Sequence, residues 1–256
     1  MSSALAGRAV LVTRPAGLSE RLAALLGAEG GEAILLPAIA IFPPDDQAKL
    51  DATIDRLEDF DMAIFISPTA VTCAHAAVTA RRGWPARMRY AAVGAGTARE
   101  LHAIGMAEVL APQGRGDSEA LAALPELAAL AGWRIVVFRG QGGRDGLRET
   151  LTARGAEIEY AECYRRAVPR TDVAPLVERW RRGGVDAVSI TSAEGLENLF
   201  VLVGPAGAPL LRAAPVFVPH PRVGEAARRL GVGHVVVTGA SDEALVEALA
   251  GFFARV

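Results

Sequence analysis

Residues 10–33 read VLVTRPAGLSERLAALLGAEGGEA, and residues 135–158 read IVVFRGQGGRDGLRETLTARGAEI. Each stretch begins with a β-branched run, continues through a turn containing Arg and Gly, and ends with leucines at helical spacing. The sequence therefore predicts the same strand–turn–helix unit twice. Aligned without a gap, the stretches are identical at Val12/Val137, Arg14/Arg139, Gly17/Gly142, Leu22/Leu147, Leu26/Leu151, Ala28/Ala153, Gly30/Gly155 and Glu32/Glu157.

The repeat continues beyond this first unit. DMAIFISPTAV at 61–71 aligns with DAVSITSAEGL at 186–196, and this alignment places Ser67 opposite Ser192. YAAVGAGTARELHAIG at 90–105 corresponds in layout to VFVPHPRVGEAARRLG at 216–231. A nearly constant offset over separate segments predicts two similar halves, which we expect to form two lobes with a cleft between them.

Short apolar runs alternate with longer Ala/Leu-periodic stretches along the whole chain. Strands alternating with helices favour right-handed βαβ units and parallel sheets covered on both faces, so the predicted fold class is α/β. The predicted strands are 9–13, 62–66, 89–93, 134–138, 186–191, 215–219 and 234–238. The predicted helices are 18–29, 46–58, 69–82, 96–104, 118–130, 143–154, 172–182, 193–202, 222–230 and 242–254.

Composition and charge exclude several classes of protein. The net charge of −2 argues against a dedicated nucleic-acid binder, and no apolar run reaches the ~18 residues that a membrane span needs. The first residues, MSSALAGRAVLVTRP, do not have the pattern of a secretory signal. Cys73 and Cys163 are far apart and the histidines follow no ligand spacing, so we expect a cytoplasmic protein with reduced thiols and no metal.

The carboxyl ends of the predicted strands are the expected ligand site. Six of them are followed directly by small or polar residues and a helix, which aims backbone N–H groups at a ligand and favours anions. Arg14, Arg139, Arg144 and Arg222 lie on these turns. The pattern predicts a site for a ligand that carries several carboxylates or phosphates.

Other interpretations of single residues remain open at this point. Gly94-Ala95-Gly96 and the glycines from Gly140 follow strands, but neither set completes GxGxxG, so tight turns explain them better than a dinucleotide. Ser67 and Ser192 fit a ligand contact and a helix N-cap equally well. His220 ends a strand, while Tyr164 is either a packing aromatic or a group where the lobes meet.

Taken together, VLVTRP, FISPTAV, VGAGTAREL, TSAEGLENL and ECYRR make the chain resemble the uroporphyrinogen-III synthase family. The resemblance spans essentially the full length and preserves the order of the segments. One segment departs from the family pattern, because VPHPRVGEAARRLG replaces the family's Gly-x-x-Thr-Ala form. The contact of that threonine would then be made by His220, Arg222 or the backbone.

The resemblance implies two doubly wound parallel-sheet lobes joined by a two-stranded linker. Lobe one would combine 1–36 with 168–256, lobe two would cover 44–156, and 37–43 with 157–167 would be the linker strands.

The implied reaction is cyclisation of the linear tetrapyrrole hydroxymethylbilane with inversion of the last ring and loss of water. It needs no cofactor, and a cytoplasmic monomer is the default expectation. The resemblance makes Tyr164 the expected general acid. The expected substrate-binding residues are Arg14, Ser67, Thr69, Gly94, Thr97, Arg139, Gly140, Ser192, His220 and Arg222.

Two alternatives remain. One is a nucleotide-dependent enzyme on two α/β lobes, and the other is a non-catalytic two-lobe protein that binds polycarboxylates.

Overall fold

The computed structural model describes residues 4–15, 17–114, 116–143 and 145–255. Its strands are β1 Ala9–Val12, β2 Glu32–Leu35, β3 Ala40–Phe42, β4 Met62–Phe65, β5 Arg89–Ala92, β6 Val109–Leu110, β7 Arg134–Gly140, β8 Glu157–Ala167, β9 Ala187–Ser189, β10 Pro215–Val218 and β11 His234–Val237. Its α-helices are α1 Glu20–Ala28, α2 Gln47–Asp55, α3 Pro68–Thr79, α4 Ala95–Ala103, α5 Ser118–Ala122, α6 Gly146–Ala153, α7 Ala174–Arg181, α8 Ala193–Ala213, α9 Pro221–Arg229 and α10 Asp242–Phe253.

The strands form two sheets, one in each of two compact units. The first unit contains the chain up to Ala40 and the chain from Ala167 onwards, and its sheet has the order β11-β10-β9-β1-β2. The second unit is Ile41–Arg166, and its sheet has the order β3-β8-β7-β4-β5-β6. Within the first sheet, and from β8 to β6 in the second, neighbouring strands pair in parallel. The predicted α/β class is confirmed.

The repeat is divided between the two sheets. Adding 125 or 126 to the residue numbers converts β1, β2, β4, β5 and β6 into β7, β8, β9, β10 and β11, respectively. Under this correspondence the two sheets have the same strand order, apart from the additional β3. Each sheet therefore takes its first two repeat strands from one copy of the repeat and the other three from the other copy.

Glycines of the repeat occupy equivalent backbone conformations. Gly17 and Gly142 have φ values of 82° and 74°, and Gly30 and Gly155 have φ values of 76° and 92°. This left-handed region is costly for residues with a Cβ, which explains why both copies keep glycine at these turns.

Helices cover both faces of each sheet, as the buried clusters show. In the second unit, α2, α3 and α4 enclose one apolar cluster, and α5 and α6 enclose another. In the first unit, α7, α8 and α9 pack on one face of the sheet, and α1 and α10 pack on the other. The strands are thus fixed on both sides, which places their carboxyl ends on a rigid scaffold.

Residues 157–167, predicted as one of the two linker strands, form a single strand of the second sheet. They form β8, and from Glu157 to Tyr164 this strand pairs with β7 inside the second sheet. Both of its faces are packed, since Ala161 and Cys163 join one apolar cluster while Ile158 and Tyr160 pack against the other. Its alternation of apolar and polar residues is that of a sheet strand.

Two helices end at places that the periodicity did not predict. The helix expected over 118–130 stops at Ala122, and a short 3₁₀ turn begins at Pro125. The helix expected over 193–202 continues as α8 to Ala213, past a kink at Gly204 where φ is 58°. Pro125 explains the first difference, because proline has no N–H to extend the helix. Gly204 explains the second, because glycine accepts the positive φ of the kink.

No helix in the described part of the chain is long and apolar enough to cross a membrane. Among the same residues, no group of three or more His, Cys, Asp or Glu side chains is placed to hold a metal ion.

Candidate active site

Ser67, Tyr164 and Gly140 meet at the carboxyl edge of the second sheet. Ser67 follows β4 and is the N-cap of α3, where its Oγ accepts a hydrogen bond of 3.0 Å from the Ala70 N–H. Pro68 at the first helical position favours this helix start. The Oη of Tyr164 lies 3.2 Å from the same Ser67 Oγ, so the phenol is hydrogen-bonded at the beginning of α3.

Gly140 leaves the space that the Tyr164 ring occupies. A Cβ on Gly140 would lie 2.7 Å from Cε2 and Cζ of Tyr164, closer than any side chain tolerates. The Gln141 N–H donates to the Tyr164 carbonyl at 2.8 Å, which fixes the backbone of the same residue. Tyr164 is 5% exposed. Gly140, which was weighed above as part of a dinucleotide-binding turn, instead makes room for the Tyr164 ring.

Cys163 precedes this tyrosine on β8, and its thiol is buried. Its Sγ is 3.4 Å from the Arg139 carbonyl oxygen and 3.6 Å from that of Ala70. Burial raises the pKa of the Cys163 thiol to about 12, so it remains protonated near neutral pH. The thiol therefore cannot act as a nucleophile at this edge.

Gly94, Thr97 and Thr69 belong to the first turns of two neighbouring helices. Gly94 is the N-cap of α4, and a Cβ there would lie 2.8 Å from the Gly116 Cα, so this position requires glycine for a close backbone approach. Thr97 is buried in α4, while Thr69 is half-buried in α3. A Cβ on Gly96 would lie 4.0 Å from the Pro68 Cγ, so the two helix N-termini are adjacent.

Arg139 points into a different part of the second unit. Its guanidinium lies 4.5 Å from the centre of the Tyr160 ring, forms a 3.5 Å ion pair with Asp145 and donates to the Gly142 carbonyl. Arg139 and Tyr160 line a cavity of about 380 Å³, which Asp117 and Ser118 also border. Burial raises the pKa of Tyr160. Arg139 is only 4% exposed, and its contacts anchor the loop after β7.

Arg14, the counterpart of Arg139, is paired with an acid in the first unit. Its guanidinium lies 2.5 Å from a carboxylate oxygen of Asp242, and the two side chains are 17% and 11% exposed. The Arg14 Nε is buried without a hydrogen-bond partner in the described part of the chain. Arg14 borders a cavity of about 440 Å³, together with His220 and Thr238.

Ser192, His220 and Arg222 also lie at helix starts of the first unit. Ser192 is the N-cap of α8, and its Oγ accepts a 3.0 Å hydrogen bond from the Gly195 N–H. His220 is the N-cap of α9 without a capping bond from its side chain, and Arg222 follows in the first turn; both side chains are exposed. The N-cap interpretation is confirmed for both serines. Arg144 lies outside the described residues.

Sequence reasoning missed two residues that shape these sites. Asp242 neutralises Arg14, and Tyr160 lies under the Arg139 guanidinium. The repeat carried only an approximate signal for the first: an aspartate stands at the start of each equivalent helix, but Asp117 is the N-cap of α5 whereas Asp242 follows the N-cap of α10. No comparable signal marked Tyr160, because the contact joins neighbouring strands whose pairing the sequence did not specify.

Comparison with known proteins decides the family. Residues 20–247 match the family model described as uroporphyrinogen-III synthase HemD. The uroporphyrinogen-III synthase of Salmonella typhimurium is 37% identical over 94% of this chain and 99% of its own length. That of Escherichia coli is 35% identical with the same coverage.

The chain belongs to the uroporphyrinogen-III synthase family. Solved structures agree in fold: a mutant uroporphyrinogen III synthase from Thermus thermophilus is 22% identical and has a TM-score of 0.58 over 96% of this chain and 97% of that one. The Helicobacter pylori uroporphyrinogen-III synthetase is 12% identical, with a TM-score of 0.56 over 96% of this chain and 99% of that one. The resemblance drawn from VLVTRP to ECYRR is confirmed.

Proposed function

We propose that this chain converts hydroxymethylbilane into uroporphyrinogen III, with Tyr164 as the general acid. The observation that carries the proposal is a phenol held at the carboxyl edge of a parallel sheet in a chain of this family. The family catalyses ring closure with loss of water and without a cofactor.

The first step is loss of the terminal hydroxyl from the substrate. The Tyr164 phenol donates its proton to that hydroxyl, the C–O bond breaks, water leaves, and an azafulvene cation remains on the terminal pyrrole. General acids positioned in this way contribute ~10²–10⁴-fold to rate. Other groups around the phenol are poorer donors, since Ser67 is a far weaker acid and Cys163 is buried with a raised pKa.

Ring inversion follows from how the substrate chain is held. The cation is attacked by a substituted carbon of the last ring to give a spiro intermediate, which fragments and recloses in the inverted sense. The unassisted substrate closes without inversion, so the enzyme must keep the chain folded to favour the spiro route.

The helix N-termini are suited to hold the substrate's acetate and propionate groups. In the second unit, the adjacent starts of α3 and α4 offer N–H groups near Ser67, Thr69, Gly94 and Thr97. The first unit offers the starts of α8 and α9, with His220 and Arg222 exposed there. Each N-terminus carries about half a positive charge, which suits carboxylates.

We expect Arg14, Arg139, Gly140 and Ser192 to act on the site through the residues that they contact. Arg14 and Arg139 hold cavity walls, and Gly140 seats the tyrosine. We also propose a cytoplasmic monomer that does not bind nucleic acid, in keeping with the net charge of −2.

Isomer analysis tests the function directly. Hydroxymethylbilane is generated in situ, the protein is added, the products are oxidised, and the type III and type I porphyrins are separated by chromatography. Predominantly type III porphyrin is expected. Type I alone would refute the proposal and would direct attention to the nucleotide-dependent alternative, for which thermal shifts with nucleotides are the next measurement.

A further inference from the structure

The two repeat-equivalent serines have the same backbone contact but different neighbours. Ser67 and Ser192 each accept a 3.0 Å hydrogen bond from the N–H three residues further on. Tyr164 stands beside Ser67, whereas the equivalent position in the other copy is Ile39, which lies near the first turn of α8. Of the two serines, only Ser67 therefore also contacts a hydroxyl group.

We propose that Ser67 is a positioning residue that holds the Tyr164 phenol in the orientation needed to donate its proton. This inference rests on the proposed function. Ser67 itself does not exchange a proton with the substrate; it acts through the 3.2 Å contact with the Tyr164 Oη.

The hydrogen-bond capacity of the serine determines the direction of this contact. A hydroxyl has one proton and two lone pairs, and one Ser67 lone pair is used by the Ala70 N–H. When the serine proton points to the Tyr164 Oη, the phenol proton is directed away from Ser67 and is available to the leaving hydroxyl. After transfer, the phenolate oxygen still accepts the Ser67 hydrogen bond, so the serine keeps its proton throughout.

Two further features restrict the position of the phenol and favour this orientation. Gly140 lies against the Tyr164 ring, where even a Cβ would come within 2.7 Å, so the ring cannot shift toward β7. Ser67 also begins α3, a helix of 12 residues whose positive N-terminal end lies beside the phenol oxygen. The same contacts that orient the phenol therefore stabilise the negative charge that develops on it.

A double-mutant cycle tests the inference. Ser67→Ala, Tyr164→Phe and the double variant are compared for kcat and KM of type III formation. In the wild-type background Ser67→Ala is expected to lower kcat about tenfold with KM nearly unchanged, the scale of one hydrogen bond. In the Tyr164→Phe background the same change should cost less than about twofold, because the hydroxyl that Ser67 orients is already absent.

Three controls separate positioning from helix capping. Ser67→Thr retains the hydroxyl and should recover most of kcat. Asp46→Ala removes the N-cap of α2 in the same unit and should leave kcat unchanged. Ser192→Ala removes only a helix cap. Ser67→Ala in the Tyr164→Phe background also removes only a cap, so the two changes should lower the unfolding free energy equally.

The outcomes are distinct. An equal fall in kcat from Ser67→Ala in both backgrounds would refute positioning and assign the effect to the cap. A Tyr164→Phe enzyme with full activity would also refute it, while type III formation by the wild-type protein would leave the proposed function intact. Formation of type I alone by the wild-type protein would overturn the function itself.

Discussion

The two copies of the repeat share a scaffold and differ in their chemistry. Both supply glycines with positive φ, a serine N-cap after the middle strand and an arginine at the carboxyl end of the first strand. The two units differ beside that serine, where Tyr164 and Cys163 of the second unit correspond to Ile39 and Ala38 of the first. Duplication thus provides helix N-termini for anions twice, while the only phenol at a serine cap is in the second unit of the described chain.

The largest effect on stability is expected for Arg14 and its ion-pair partner Asp242. Arg14→Ala leaves Asp242 as an uncompensated, largely buried carboxylate, and we expect the free energy of unfolding to fall by about 3 kcal/mol. Urea titration measures it. The double variant Arg14→Ala/Asp242→Ala should recover part of the loss, because no lone charge then remains.

A neighbouring ion pair provides the matched control. Arg21 on α1 pairs with Glu243, the residue after Asp242 on α10, but their side chains are 69% and 55% exposed. Arg21→Ala should cost less than about 1 kcal/mol, since exposed pairs contribute little. If Arg14→Ala costs no more than Arg21→Ala, burial of the Arg14–Asp242 pair does not decide its contribution.

Tyr164→Phe tests the residue that distinguishes the two copies. We expect kcat to fall about 100-fold, the lower end of the range for general acids, and activity to remain above the uncatalysed rate. The measurement is the rate of type III formation with the type I background subtracted. Tyr90→Phe, near the amino end of β5 in the same sheet, is the control and should retain full activity. Unchanged kcat in Tyr164→Phe would remove this phenol as the acid.

Gly140→Ala tests whether space for the tyrosine ring matters. The added Cβ meets ring atoms at 2.7 Å, and overpacking of this kind costs ~1–3 kcal/mol of stability. Gly27→Ala is the opposite case, because nothing lies within 4 Å of its Cβ position inside α1. That control should gain about 0.5–1 kcal/mol from helix propensity. Denaturant midpoints compare both, and equal shifts would refute the steric explanation.

The smallest effect is expected at Tyr160, four residues before Tyr164 on β8. Its Oη is buried without a hydrogen-bond partner in the described part of the chain. Tyr160→Phe should not lower the unfolding free energy, because it removes a buried hydroxyl that forms no hydrogen bond. A calorimetric comparison with Tyr164→Phe, which loses the Ser67 contact, shows whether the two tyrosines differ as described. A loss above about 1 kcal/mol in Tyr160→Phe would contradict this account.

Much of the fold followed from local sequence patterns. The repeat predicted equivalent units, and every predicted strand lies within about two residues of an observed one. Continuous apolar runs mark the strands that are buried on both faces, such as β4 and β7. Short edge strands such as β6, with two residues, carry too few side chains to give a signal.

The site was predicted by residue type but not by contact. Ser67, Gly140 and Tyr164 were all selected, yet their mutual contacts depend on the pairing of β7 with β8 and on a register shift between Arg139 and Gly140. Such pairing is a long-range property that local periodicity does not encode. Arg14 likewise looked available for substrate until Asp242, 228 positions away, was found beside it.

The division of the repeat between two sheets has a consequence for synthesis on the ribosome. The second unit is one continuous segment, Ile41–Arg166, and can complete its sheet as soon as it has emerged. β1, in contrast, is a central strand whose neighbour β9 is made much later. At ~5–20 residues per second, roughly 1–5 s separate the end of the second unit from the end of β9. During that interval β1 and β2 have open hydrogen-bonding edges, and the nascent N-terminus is the part of the chain most in need of protection from aggregation.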